Sequence, residues 1–114
     1  MPYGTTTRGT NWPTKEPWQV RLLRALLWFV PRANPDNEPL YPQLRRWALE
    51  LDDGGKPLRE VGLGEGDVVL FRAPDERNFG FWTDSAEAVP GEYLLPLDQQ
   101  EFESLWRRAA NREA

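Results

Sequence analysis

The sequence predicts an α+β fold, in which a four-stranded antiparallel meander sheet is flanked by an N-terminal and a C-terminal helix. Over residues 44–84, short apolar runs alternate with Gly, Asp and Pro, the turn signals of consecutive antiparallel strands. Over residues 14–30 and 98–112, apolar side chains recur at helical spacing. The 114 residues are expected to form a single domain over 1–114, because two separate cores would each be too small.

The first third of the chain is predicted to contain a tail, a helix and a connection. Residues 1–13 are rich in Thr and Gly, which predicts a mobile tail. The helix over 14–30 begins at Thr14, a residue suited to capping, and ends at Pro31, which cannot continue a helix. Four prolines in residues 31–43 favour an extended surface connection.

The β-meander is predicted over residues 44–84. Its four strands are expected at 44–51, 58–63, 68–73 and 79–83. Residues 92–95 are expected to form either a short fifth strand or an extended segment. A two-residue turn at Glu65-Gly66 would place Val61 opposite Leu70 on the neighbouring strand.

The C-terminal helix, predicted over 98–112, has the clearest local signal in the chain. Asp98 is suited to the N-cap and Glu101 to the third helical position, a capping-box arrangement. An apolar stripe follows at helical spacing, formed by Phe102, Leu105, Trp106 and Ala109.

The composition excludes several classes of site. The chain contains neither Cys nor His, so disulfides, thiolate metal sites and nucleophiles paired with His are impossible. We therefore expect no cofactor and no metal. Any acid–base chemistry would fall to carboxylates.

Charge is unevenly distributed along the chain, whose net charge is −4. Residues 1–46 carry seven basic and three acidic residues, whereas residues 47–114 carry seven basic and fifteen acidic residues. An acidic face on the meander would steer a basic partner, although an unevenly charged, solvated surface is the simpler explanation. The same balance disfavours nucleic acid, which requires a basic footprint.

The sequence favours a soluble, cytoplasmic protein. Its longest apolar stretch, residues 18–30, contains two Arg and one Gln and is too short to span a bilayer. Packing on the sheet explains this stretch better than a position on a membrane surface, because the acidic chain disfavours anionic lipid. Residues 1–9 do not have the pattern of a secretory signal.

Five residues are candidates for a partner-binding patch on the sheet: Glu50, Arg59, Glu60, Trp82 and Asp84. Glu50 and Glu60 lie on adjacent predicted strands and are candidates for one acidic face, with Trp82 as an aromatic anchor. Two carboxylates on one face would also suit acid–base chemistry. The structural alternative is an ion pair between Arg59 and a carboxylate across the strands.

The segment 47–84 resembles a group of small bacterial proteins of unknown or tentative function. The shared pattern is W-x-x-E-x-D-x-x-G-x-P-x-R-E-[IV]-G-L, then Gly, then Pro, then N-x-G-x-W-x-D. It falls here on Trp47, Glu50, Asp52, Gly55, Pro57, Arg59, Glu60, Val61, Gly62, Leu63, Gly66, Pro74, Asn78, Gly80, Trp82 and Asp84. The resemblance implies an association with toxin–immunity loci.

The sequence thus favours a non-enzymatic protein–protein interaction module, immunity-like in its role, that docks a basic partner through an acidic sheet face. The alternative is a small carboxylate-based enzyme or ligand-binding domain with a cleft between sheet and helix. A third alternative is a homodimer formed through a strand edge or the Trp-rich N-terminal segment.

Overall fold

The computed structural model describes four ranges of the chain: residues 2–10, 37–75, 78–84 and 87–113. Within them, a five-stranded antiparallel sheet packs one face against a C-terminal helix, which confirms the α+β class. The helix predicted over 14–30 lies outside the described residues.

The strands of the sheet do not follow one another in a simple meander. They are β1 (Tyr3–Thr6), β2 (Arg46–Leu51), β3 (Pro57–Leu63), β4 (Val69–Ala73) and β5 (Leu95–Pro96). Their order across the sheet is β4-β3-β2-β1-β5, and all neighbours are antiparallel. Only β2, β3 and β4 form the predicted hairpin series. The N-terminal strand extends the sheet on its other side.

Strand β1 corrects the prediction of a tail over residues 1–13. Tyr3–Thr6 lies between β2 and β5, so it is an inner strand of the sheet. Thr5 pairs with Ala48 on one side and with Leu95 on the other, and its side chain is buried. Thr also favours a strand when neighbours are available to pair with it, so a Thr-rich composition does not by itself indicate a tail.

The part of the Pro-rich connection that the structure describes is a 3₁₀-helix, Glu38–Gln43, and not an extended segment. Pro39 fits the first turn, where N–H groups have no partner within the helix, and Pro42 lies inside the helix, where its fixed φ angle falls in the 3₁₀ range. The helix places Tyr41 in the core, where its ring lies near those of Trp47 and Phe71.

Side-chain alternation along β2 divides the core into two layers. Ala48 lies opposite Val61 of β3, and both pack against the C-terminal helix on what we call the helix face. Trp47, Leu49 and Leu51 point to the other side, which we call the loop face. The apolar residues at positions 47, 49 and 51 of the sequence match this alternation.

The connection between β3 and β4 is longer than the predicted two-residue turn. Glu65–Asp67 forms a 3₁₀ turn, and the backbone N–H of Gly64 donates to the carbonyl of Val68. As a result, Val61 lies opposite Arg72 and not opposite Leu70. The prediction failed because a 3₁₀ turn and a β-bulge shift the register without changing the apolar pattern.

The predicted fourth strand over 79–83 is absent from the sheet; this segment is an irregular loop. A short fifth strand exists at Leu95–Pro96, where it pairs with β1 at the far edge of the sheet.

The C-terminal helix, α1 (Gln99–Glu113), begins where its capping signal predicts. The Asp98 carboxylate accepts a hydrogen bond of 2.7 Å from the backbone N–H of Glu101. Phe102, Leu105 and Ala109 are buried against the helix face of the sheet.

Candidate functional site

On the helix face, Arg59 is the centre of a saturated ion-pair network. Its Nε and Nη2 donate to the two oxygens of Glu50 at 2.7 and 3.0 Å, and Nη2 also donates to Glu103 at 2.5 Å. The guanidinium lies 4.9 Å from the ring centroids of both Phe102 and Trp106. This network ties β2, β3 and α1 together.

The hydrogen bonds from Arg59 lower the pKa of Glu50, although partial burial opposes the shift. The hydrogen bonds that Arg59 donates to Glu50, and next those to Glu103, raise the pKa of Arg59. Both groups therefore stay ionised near neutral pH. Glu50 also accepts a 3.2 Å hydrogen bond from the Tyr3 hydroxyl, so its oxygens are engaged within the protein. The structural alternative predicted for this pair is the one observed.

Glu60 lies on the opposite side of the sheet from Glu50. It pairs with Leu49 across the strands, and directly opposed residues share a face, so its carboxylate lies on the loop face. The side chain is fully buried. Burial raises its pKa, while hydrogen bonds from the backbone of Phe81, Thr83 and Trp82 act in the opposite direction.

The buried carboxylate holds the loop that the sequence predicted as a strand. Its Oε2 accepts the N–H of Phe81 at 2.9 Å, and its Oε1 accepts the N–H groups of Trp82 and Thr83 at 2.8 and 2.9 Å. We call residues 78–84 the anchored loop. Three consecutive N–H groups converge on one carboxylate, an anion-binding arrangement in which the anion belongs to the protein itself.

The conformation of the anchored loop requires glycine at position 80. Gly80 has a φ of +100°, a region that other residues rarely adopt. A β-carbon there would clash with the Thr83 hydroxyl and lie 2.7 Å from the Glu60 carboxylate. The Thr83 hydroxyl also donates to the carbonyl of Phe79, which closes the loop across Gly80. The sequence therefore specifies this loop by Gly80 and Glu60 together.

The anchored loop has a buried side and an exposed side. Phe81 stacks on the buried Trp47, with ring centroids 5.5 Å apart. Trp82 is half-buried, packs edge-on against Phe81 and keeps its indole N–H buried without a hydrogen-bond partner among the described residues. Phe79 is 62% exposed, an unusual position for a large aromatic side chain, and Asp84 is exposed at the end of the loop.

The structure brings together only some of the five predicted site residues. Glu60, Trp82 and Asp84 meet at the anchored loop, where Glu60 is an internal anchor and not a surface charge. Glu50 and Arg59 lie on the other face and bind each other. The predicted acidic face that joins Glu50 to Glu60 is therefore wrong, because their strand register places them on opposite faces.

The described surface contains depressions on both sides of the sheet region. One, of about 470 Å³, lies at the β2–β3 turn, with Asp52 and Asp53 in its wall and Leu51, Val89 and Leu94 in its lining. Another, of about 360 Å³, lies between α1 and the end of β2. In the described ranges, no group of three or more acidic residues is arranged to hold a metal ion.

Two residues of these sites were not identified from the sequence: Phe79 of the anchored loop and Glu103 of the Arg59 network. Phe79 directly precedes Gly80, and an aromatic residue beside a glycine that can form a turn was the available signal. Glu103 lies on the helical turn that follows the cap, but no sequence pattern links a helix residue to an arginine on a distant strand.

Comparisons with known proteins give no match. No protein-family model fits the chain, and no curated protein or solved structure is similar to it at a significant level. Of the helices in the described part of the chain, none has the length and apolar character needed to cross a bilayer.

Proposed function

We propose that this protein is a non-enzymatic protein-interaction module that docks a partner with a basic surface through the anchored loop. The observation that carries the proposal is the exposure of Phe79 on a loop that three hydrogen bonds fix to the buried Glu60.

A fixed loop is suited to binding because little conformational entropy is lost when it docks. The carbonyl of Phe79 accepts the Thr83 hydroxyl, and the N–H of Phe81 donates to Glu60, so the Phe79 ring is presented from a defined backbone. Large aromatic side chains dominate the binding energy of protein interfaces when a partner buries them. Trp82 lies on the same loop and adds apolar area to its surface, since it is only half-buried.

The proposed charge of the partner rests on one exposed acidic residue of the loop and on the acidic balance of residues 47–114. Asp84 is exposed at the end of the anchored loop, and residues 47–114 carry more than twice as many acidic as basic residues. A basic partner would be drawn to such a surface at a rate that falls as salt is added.

The placement of the carboxylates supports binding over catalysis. Glu50 is paired with Arg59 on one face, and Glu60 accepts three N–H groups on the other, so the two do not converge on one substrate. A general acid and base must both reach the reacting group, which this arrangement does not favour.

Docking of this kind would act by occlusion. An immunity-like protein works in that way when it covers the active surface of a toxin. The sequence resemblance implies an association with toxin–immunity loci. On this proposal the partner buries Phe79, and its basic groups approach Asp84.

The experiment compares affinity capture from the source cell by three forms of the protein. Wild type and Leu95→Ser should retain the same partner, whereas Phe79→Ser should lose it. Leu95 is the matched control because it is 70% exposed but lies on β5. With the purified partner, Asp84→Asn should slow association at low salt and change dissociation little. Equal capture by Phe79→Ser and wild type would contradict the proposal.

A second copy of the chain is the remaining candidate partner. Sedimentation of wild type and Phe79→Ser over a range of concentrations tests this form of the proposal. A wild-type dimer that Phe79→Ser abolishes would identify the partner as the protein itself.

A further inference from the structure

The depression of about 360 Å³ between α1 and the sheet has the features of a small-molecule cleft. It lies on the helix face, where β2 begins and α1 makes its first three turns. Its described lining combines charged, neutral polar and apolar side chains: Arg46, Asp67, Leu97, Gln100, Glu101, Ser104, Leu105 and Arg108. Such a mixture of a few polar groups with apolar walls is typical of ligand sites.

Arg46 in this cleft is unsatisfied, in contrast to Arg59. Arg59 uses both Nε and Nη2 to bind one carboxylate, Glu50, in the two-point geometry that suits a guanidinium. Arg46 makes a single contact, 3.0 Å from Nη2 to Asp67, whose side chain is 61% exposed. The Nε of Arg46 is buried and has no hydrogen-bond partner among the described residues. The side chain as a whole is 34% exposed, so Arg46 can turn this unused donor toward an acceptor in the cleft.

The opposite wall of the cleft supplies further donors. Gln100, Ser104 and Arg108 are spaced four residues apart on α1, so they form one stripe along the helix. All three side chains can donate hydrogen bonds to an oxygen anion. The stripe faces a wall that contains Arg46, so two guanidinium groups from different elements border the same space.

The charges of the lining disfavour a ligand with two negative charges. Arg46 and Arg108 are balanced by Asp67 and Glu101, so a dianion would face two carboxylates without excess positive charge. Leu97 and Leu105 provide apolar wall, and Leu105 is buried. A ligand with one anionic head and an apolar body satisfies both conditions.

We propose that this cleft binds a small monocarboxylate with an apolar body. Its carboxylate takes Nε and Nη2 of Arg46 in the arrangement that Glu50 already makes with Arg59, and Asp67 yields its contact to solvent. Ser104 and Arg108 donate to the same head group, while the apolar body lies along Leu97 and Leu105. The site is separate from the anchored loop, which lies on the other face.

Titration of the ¹⁵N-labelled protein with sodium hexanoate tests the proposal. We expect saturable shifts of the Arg46 Nε–H resonance, identified by its loss in Arg46→Lys, and of the Leu105 signals. Hexanol keeps the apolar body without the charge, and inorganic phosphate keeps the charge without the body. Both should bind at least about tenfold more weakly than hexanoate, because hexanol lacks the anionic head and phosphate lacks the apolar body.

Arg46→Lys keeps the charge but removes the two-point geometry, so hexanoate affinity should fall about tenfold. Arg45→Lys is the matched control, because Arg45 is exposed and donates to the backbone carbonyls of Pro42 and Leu44. If Arg46→Lys loses its dispersed amide spectrum, Ser104→Ala replaces it, with an expected loss of about threefold.

Three outcomes would overturn the proposal. They are equal hexanoate binding by wild type and the cleft variant, equal binding of hexanol and hexanoate, and phosphate binding at least as tight as that of hexanoate. Phe79→Ser should bind hexanoate like wild type. The ligand proposal for the cleft and the docking proposal for the anchored loop can therefore fail independently of each other.

Discussion

At the scale of single residues, Glu50 and Glu60 show how one residue type takes two unrelated roles on neighbouring strands. Glu50 is half-buried and paired with a cation, whereas Glu60 is fully buried and bound by backbone N–H groups. Both environments satisfy a carboxylate, but their effects on its pKa have opposite signs. Only the register of β2 against β3 decides which environment each receives.

Loss of the Glu60 carboxylate should release the anchored loop. We expect Glu60→Ala to lower the free energy of unfolding by about 2–4 kcal/mol, because three N–H groups lose their acceptor and a cavity forms. Hydrogen exchange at Phe81, Trp82 and Thr83 should accelerate beyond the global change. Asp84→Ala is the control, since this exposed neighbour should change stability by less than about 0.5 kcal/mol. Equal urea midpoints for the two variants would contradict the anchoring role.

The Glu50–Arg59 pair should contribute stability in a pH-dependent manner. The folded state lowers the pKa of Glu50, so its contribution is present above the ordinary carboxyl range and is lost as pH falls through the folded value. Glu50→Gln should therefore be less stable than wild type by about 1 kcal/mol at neutral pH. This difference should shrink as pH falls below the ordinary carboxyl range and through the lowered pKa of Glu50.

Urea unfolding of both proteins across this pH range measures the effect. The difference between variant and wild type is the useful quantity, because Glu60 has a raised pKa and makes an opposite contribution that both proteins share. A difference that stays constant or grows toward low pH would show that the ion pair does not stabilise the fold.

At the scale of elements, the sequence predicts a feature correctly where the interacting residues are close together in the chain. The α1 cap is such a case, because Asp98 and Glu101 are three residues apart and need no distant partner. The register of β3 against β4 is the opposite case. It depends on the backbone of a 3₁₀ turn, in which Gly66 and Asp67 both have positive φ.

The cap gives a prediction at this scale. Asp98→Ala should lower the free energy of unfolding by about 1 kcal/mol, because the N–H of Glu101 loses its acceptor. Asp98→Asn is the matched control, since its side-chain carbonyl still accepts the bond and little stability should be lost. Thermal unfolding followed by circular dichroism compares the three proteins. A larger loss for Asn than for Ala would contradict the capping role.

At the scale of the whole molecule, β1 is the element on which the sheet depends. It lies between β2 and the two-residue β5, so it joins the start of the described chain to the segment that leads into α1. The backbone N–H of Leu97 donates to the carbonyl of Tyr3, which continues this link to the helix.

A proline within β1 should therefore destabilise the whole fold. Thr5→Pro removes a backbone donor from an inner strand, and we expect a loss of roughly 3 kcal/mol or more. Thr5→Val keeps the donor and the β-branched shape, so it should remain close to wild type. Urea unfolding followed by Trp fluorescence measures both variants. If the proline variant matches the valine variant, the sheet does not require β1.

The sequence by itself determined the α+β class, the strands β2 and β3, the alternation of β2 and the start of α1. These features depend on neighbours close in the chain, whose periodicity and capping are visible in the residues themselves. The tertiary structure decided the place of β1, the register of β4, the anchored loop and the separation of Glu50 from Glu60. Each of these rests on pairing between distant segments, and a shift of one residue in such a pairing moves a side chain to the other face.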